Sequence, residues 1–214
     1  MKVRFVALAS LVMLLCVACT HSTPASYTVT GLLPDDSADG KTIYITRQDD
    51  RTYVDTTVVQ GDKFVFEGVA DEPVYCCIMV SSGLTANLIL ENGEIKFDFN
   101  ESKYPAGTPN NEELARINRM DDNRMKDYIK GMREAFKAKK SLNEYKEEYE
   151  KNVEEQAKEL FQKHNDDVIG YYLLYTSNLS ALSDDECRKI LENLGPSLQQ
   201  TSYVQYLLKQ LNKQ

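Results

Sequence analysis

The chain is poor in the residue groupings from which catalytic centres are built. Its 214 residues contain two histidines, His21 and His164, and beyond residue 19 they contain no Cys-x-x-Cys. Neither an HExxH pair, a glycine-rich phosphate loop nor a Ser/His/Asp set can be picked out, and no Cys/His spacing of the zinc type is present. No apolar run approaches the roughly 20 residues that a membrane-spanning helix needs. Positive charge is also scarce, with 25 Lys and Arg against 33 Asp and Glu. A net acidic chain is repelled by phosphate, which argues against a nucleic-acid partner. Lys137, Lys139 and Lys140, the nearest approach to a basic stripe, read as a solvated helix end among glutamates.

The start of the chain is distinctive. Lys2 and Arg4 precede an apolar run from Phe5 to Val17, followed by Ala18 and Cys19. A charged start, a short apolar segment and a small residue before the cut make a secretion signal over residues 1–18. Cys16-Val17-Ala18-Cys19 is similar to a bacterial lipobox, with Cys16 where such boxes carry Leu. That resemblance implies that Cys19 is diacylated and becomes the mature N-terminus; ordinary signal cleavage is the alternative. Residues 19–26 then form a lipidated polar tether. Removing the leader takes the formal charge from −8 to −10. Three cysteines remain in the mature body, Cys76, Cys77 and Cys187, an odd number for an oxidising compartment. Cys76 and Cys77 are neighbours in a strand pattern, where side chains alternate faces, so at least one buried free thiol is expected.

Two periodicities divide the rest. From Tyr27 to Phe99, apolar and polar residues alternate in short runs separated by turn residues, the pattern of half-buried strands. Seven strands are expected, at 26–33, 41–47, 52–59, 63–69, 74–81, 86–90 and 94–99. Gly61-Asp62 and Asn92-Gly93 predict that the third strand pairs with the fourth and the sixth with the seventh. Two face-to-face antiparallel sheets are the economical arrangement, with Phe64, Phe66, Ile89, Ile95, Phe97 and Phe99 as core candidates.

After Gly107 the apolar spacing changes to three and four. Asn110 and Glu113 suggest a capping box opening a long helix, with Leu114, Ile117, Met125, Tyr128, Met132 and Phe136 as its stripe. Ser141 and Glu144 open a second, antiparallel to the first. Shorter helices follow, opened by Ser183 with Glu186 and by Ser202 with Gln205, and separated at Gly195-Pro196. Tyr171, Tyr172 and Tyr175 read as packing. Asp166-Asp167 and Asp184-Asp185 read as caps at helix starts. The expected class is therefore α+β: a β-sandwich over 27–106, then a helical hairpin and short C-terminal helices over 107–214.

The order Asp39-Gly40-Lys41, Ile43-Tyr44-Ile45, Val54-Asp55-Thr56, Gly61-Asp62-Lys63-Phe64-Val65-Phe66-Glu67-Gly68, Pro73, Glu91-Asn92-Gly93 and Gly107-Thr108-Pro109-Asn110-Asn111 resembles the Bacteroidetes domain of unknown function DUF4369 over about residues 25 to 135. In such proteins the β domain commonly precedes a helical connector and a redoxin domain. Asn165 to Gln214 resembles that connector, and no redoxin Cys-x-x-Cys follows it, so redox activity does not carry over. Asp36-Ser37-Ala38 and Asp55-Thr56-Thr57 resemble the O-glycosylation acceptor pattern of exported proteins from that group, which nominates Ser37 and Thr56. Asp35 to Gly40 imitates the start of a calcium loop, but its twelfth position is Thr46 rather than Glu, so a solvated turn is expected.

These readings lead to a lipid-anchored envelope protein on the periplasmic face of the outer membrane. It is expected to be non-enzymatic, to need no cofactor or metal, and to bind or scaffold a protein partner or ligand. The second expectation is an accessory that docks on a separate thiol–disulfide redoxin.

Overall fold

The computed structural model describes residues 26–211 apart from Ser82 and Ser177. Cys19, Cys16 and His21 lie outside the described residues. Eight strands come first: β1 (Tyr27–Leu32), β2 (Thr42–Arg47), β3 (Tyr53–Val58), β4 (Lys63–Gly68), β5 (Val74–Ser81), β6 (Leu84–Leu90), β7 (Gly93–Asp98) and β8 (Ser102–Ala106). Helices follow: α1 (Pro109–Lys137), α2 (Leu142–Lys163), α3 (Val168–Tyr175), α4 (Asp184–Glu192), α5 (Pro196–Gln199) and α6 (Ser202–Leu211), with a 3-10 turn at Asn178–Ala181. The class is α+β, with two packed sheets followed by a long helical pair and short C-terminal helices.

One sheet runs β4-β1-β7-β8 and the other β3-β2-β5-β6. Alternation places Val29, Phe64, Phe66, Ile95 and Phe97 of the first sheet against Ile43, Ile45, Ile78 and Leu88 of the second, a dry core between two faces. Phe64 lies so close over Gly31 that a Cβ there would sit 2.1 Å from the ring.

Strand pairing departs from the hairpin expectation. Gly61 takes a φ of 61°, and Gln60 and Lys63 exchange backbone hydrogen bonds of 2.8 and 3.1 Å, so the tight reversal forms. Its two arms nevertheless belong to different sheets: β3 pairs with β2, and β4 with β1. Likewise β6 pairs with β5, while β7 lies parallel to β1 and antiparallel to β8. A turn residue specifies that the chain reverses; the partner of the next strand is chosen by burial of Phe64 and Phe66 against Tyr27, Val29 and Gly31. The first sheet is accordingly mixed rather than antiparallel throughout. The eighth strand, β8, has Pro105 and no apolar alternation, which hides an edge strand from a periodicity argument.

The second sheet is buried on both sides at one end. Tyr75 and Ile89 project from it into a separate cluster with Leu114 and Ile117 of α1, Phe161 of α2, and Ile169, Leu173 and Leu174 of α3. Ile89 thus belongs to the helical layer rather than to the sandwich interior, and Phe99 is only half-buried at the edge of the latter.

The hairpin is antiparallel, because Lys163 at the end of α2 reaches Glu113 at the start of α1. At 1.5 Å per residue, the 29 residues of α1 span about 43 Å. Tyr149 donates to the Arg124 carbonyl at 2.6 Å, and the Tyr128 ring lies 4.9 Å from that of Tyr149. Met125 and Phe136 are not part of this seam; they face solvent. The long stripe drifts around α1, so one end meets the sheet and the other does not.

Capping is partly as expected. Ser141 accepts from the Glu144 amide, and Ser183 with Glu186 forms a full capping box. At α1, by contrast, Thr108 is the cap residue and Asn110 is bound to Glu91, at 2.7 Å through its side chain. Glu113 is diverted to a charged cluster described below. At α6 it is the Thr201 hydroxyl, not Ser202, that accepts from the Val204 amide.

Candidate functional site

A cleft of about 510 Å³ opens where the end of the sandwich meets the short helices. One wall comes from the β2–β3 turn and the start of β5, with Arg47, Asp49, Glu72, Pro73 and Tyr75. The other comes from Asp166, Asp167 and Tyr171 at the start of α3, Leu198 of α5, and Thr201 and Tyr203 around α6. The turn is held to the sheet by the buried Gln48, whose amide bonds to the Tyr75 carbonyl at 3.0 Å and whose Oε1 accepts from Arg51. Arg51 also donates to the Tyr175 hydroxyl at 2.6 Å, tying the β domain to α3.

Four of the five charged groups lining the cleft, all but Glu72, have structural duties. Arg47 donates twice to Asp49, at 3.0 and 2.8 Å, a bidentate pair that holds the carboxyl below its usual range. Asp166 accepts from the Ser197 and Leu198 amides, at 2.7 and 3.3 Å. Asp167 caps α3 by accepting from the Gly170 amide at 2.9 Å, and its second oxygen meets His164 Nδ1 at 2.8 Å. The paired acids therefore serve helix starts, as their positions implied.

Aromatic rings form the apolar part. Tyr172, Tyr75, Tyr175, Tyr171 and Tyr203 make a continuous chain of ring contacts, with centroids 5.2 to 6.3 Å apart. Tyr172 is core, as expected. Tyr171 and Tyr203 are half-exposed and line the cleft, a role the packing reading of Tyr171 missed because its partner Tyr203 comes from distant α6. Burial, followed by the nearby Asp49 carboxylate, pushes the Tyr171 hydroxyl up to about 12.

Behind the wall sits the buried His164. Its Nε2 lies 3.0 Å from Glu113, opposite the contact with Asp167, so both ring nitrogens already face carboxylates. Glu113 also accepts from Arg116 and Lys163, each at 2.7 Å. Arg116 first, then Lys163 and His164, hold the Glu113 carboxyl far below its usual range. This cluster locks α1, α2 and α3 together and presents no unengaged imidazole nitrogen to the cleft. Among the described residues no group of His, Cys, Asp and Glu is arranged to hold a metal ion.

The remaining predicted positions are dispersed. Ser37 and Thr56 are both exposed, the former in the turn before β2 and the latter on β3. In the calcium-like turn, Asp35 accepts from the Ser37 amide and Asp39 from the Gly61 amide, so these acids shape the loop. Cys76 points into the sandwich with no exposure, Cys77 lies on the opposite face of β5, and Cys187 is buried against the Leu179 carbonyl. Burial pushes all three thiols up, Cys76 to about 12; at Cys187, Asp184 and Glu186 add to the effect of burial. An attacking thiolate requires the opposite shift.

Residues 27–114 match the family described as a domain of unknown function, DUF4369. No curated protein and no solved structure gives a match. The DUF4369 segment runs past β8 into α1 because Asn111 and Leu114 are fully buried against the second sheet. It supplies Arg47, Asp49, Glu72, Tyr75 and Asn110 to the cleft, while Asp166, Tyr171 and Tyr203 lie outside the matched span. The cleft is thus a product of the DUF4369 domain together with its helical extension.

Proposed function

We propose that this protein is a non-enzymatic binding module of the cell envelope, anchored through lipid on Cys19 to the periplasmic face of the outer membrane, with the tyrosine-lined cleft as its ligand site. The leader pattern Lys2, Arg4, Phe5 to Val17, Ala18 and Cys19 supports the anchor. One observation carries the binding reading: Arg47, Asp49, Asp166, Asp167 and His164 are already committed to hydrogen bonds within the protein, while the Tyr171 and Tyr203 rings are left to meet a ligand. Four carboxylates and one arginine give the walls a net negative charge. Tyrosine faces and carboxylates together favour a ligand with a cationic group on an apolar body.

Two measurements test this. Mass spectrometry of the mature protein should find an acylated N-terminal Cys19, absent in Cys19→Ser; an unmodified terminus overturns the anchor. Calorimetric titration with aromatic amines and their carboxylate counterparts should show binding of the amines alone, weakened about tenfold or more by Tyr171→Ala. Equal binding of both classes, or no effect of the substitution, overturns the assignment of the cleft.

A further inference from the structure

The distal half of the hairpin has no role in the cleft. Apart from Ala135, every fully buried residue of α1 and α2 lies within Asn111–Ile117 or Ala157–Phe161, where the pair packs on the body. Beyond that, α1 carries a solvent-facing apolar stripe: Met125 is 65% exposed, Ile129 44% and Phe136 72%. At 3.6 residues per turn these three fall within about 40° of one another.

A second stripe runs beside it, roughly 100° around the helix, made of Lys126, Lys130, Arg133 and Lys137. None of these four makes an ion pair with a carboxylate among the described residues, although Glu134 stands nearby. Ile129 and the four cations line a groove of about 440 Å³. Residues 125–140 hold six basic and two acidic side chains, in a chain whose net charge is −8. Charge of this sign, in this one place, next to an exposed apolar ridge, is the pattern of a helix that lies on an anionic surface.

We infer that this face of α1 binds the surface of an anionic phospholipid membrane, with Met125, Ile129 and Phe136 entering the acyl boundary and the four cations facing the phosphates. A second copy of the chain is the rival occupant. Among the described residues the glutamate-rich helix is α2, whose glutamates are partly neutralised in place by Lys146–Glu150, Lys151–Glu155 and Lys158–Glu154 pairs. A continuous anionic sheet complements four cations that form no salt bridge among the described residues, although Lys126 already acts on the Asp122 carboxylate; a helix with its own counter-charges does so less well. The inference stands independently of acylation at Cys19.

The test uses a chain beginning at Thr20, which keeps both hydrophobic clusters complete and carries no lipid. It should co-sediment with vesicles containing about one third phosphatidylglycerol but not with phosphatidylcholine alone, and release as salt is raised. K130Q/R133Q should lower the partition coefficient about 25-fold, at roughly fivefold per cation. Ile129→Ser with Phe136→Ser should also weaken it; all four positions are exposed, so unchanged urea midpoints verify folding. Absence of binding to anionic vesicles, or binding indifferent to both pairs of substitutions, overturns the inference. So does a concentration-dependent dimer, abolished by the same substitutions, in a protein that ignores vesicles: the face then takes a second copy.

Discussion

Asn111 brackets Ile89. From the first turn of α1, its side-chain oxygen accepts from the Ile89 amide at 3.0 Å, and its nitrogen donates to the Ile89 carbonyl at 2.7 Å. The amide group thereby supplies both hydrogen bonds that a neighbouring strand would have given Ile89 on β6, an edge strand of the second sheet. A third bond, to the Thr108 hydroxyl at 2.8 Å, fixes its orientation. Edge backbone that is buried must find partners, and here the helix provides them. This one side chain registers the helical layer on the sandwich.

Asn111→Ala should therefore destabilise the protein by about 2 to 4 kcal/mol, since it removes three bonds and strands two buried backbone groups. Equilibrium urea unfolding measures the loss. A cost below about 1 kcal/mol would mean that water replaces the amide.

Acid should unlock the three-helix junction. Glu113 is held below its ordinary value in the folded protein, so the unfolded chain takes up its proton first as pH falls. Its contribution to stability is complete above the ordinary carboxyl value of about 4.3 and is lost as pH drops from there toward the folded value. Thermal unfolding across that window should show a slope that Glu113→Gln reduces. An unchanged slope would place the acid sensitivity elsewhere.

The two adjacent thiols, Cys76 and Cys77, should differ in their accessibility to a water-soluble alkylating reagent. Cys76, inside the sandwich and with its pKa pushed up to about 12, should remain unmodified until denaturant is added. Cys77, half-exposed on the opposite face, should react ahead of it in the native state. Peptide mapping after timed quenching distinguishes them, and equal rates would contradict the strand orientation.

Gly107→Ala and Gly40→Ala form a matched pair. Both glycines have positive φ, 105° and 72°, but a Cβ at 107 would lie 2.3 Å from the Glu94 carbonyl oxygen, whereas nothing lies within 4 Å of one at 40. The conformational term alone costs about 1 to 2 kcal/mol at either site. Gly107→Ala should lower the melting temperature further, because β8 must also shift away from β7; equal shifts would argue against that close approach.

Some of this architecture is legible locally and some is not. Alternation located the seven strands from 27 to 99, and Ser141 and Ser183 marked helix starts, because a strand face or a cap depends on residues within a few positions of one another. Asn110 and Glu113 gave a false cap: their side chains are drawn to Glu91 and to the His164 cluster, partners that no short window contains. Tyr171 looked like packing for the same reason.

From the chain alone came the α+β class, the first seven strands and the change from strand to helix period near 107, all consequences of hydrophobic period and turn chemistry, while composition gave the acidic balance. Long-range burial settled the rest. It sent β3 and β4 to different sheets, laid β7 parallel to β1, and brought Arg47 to Tyr203 across the cleft. Periodicity says which face of an element seeks the interior, but which other face it meets is decided only when distant segments compete to exclude water.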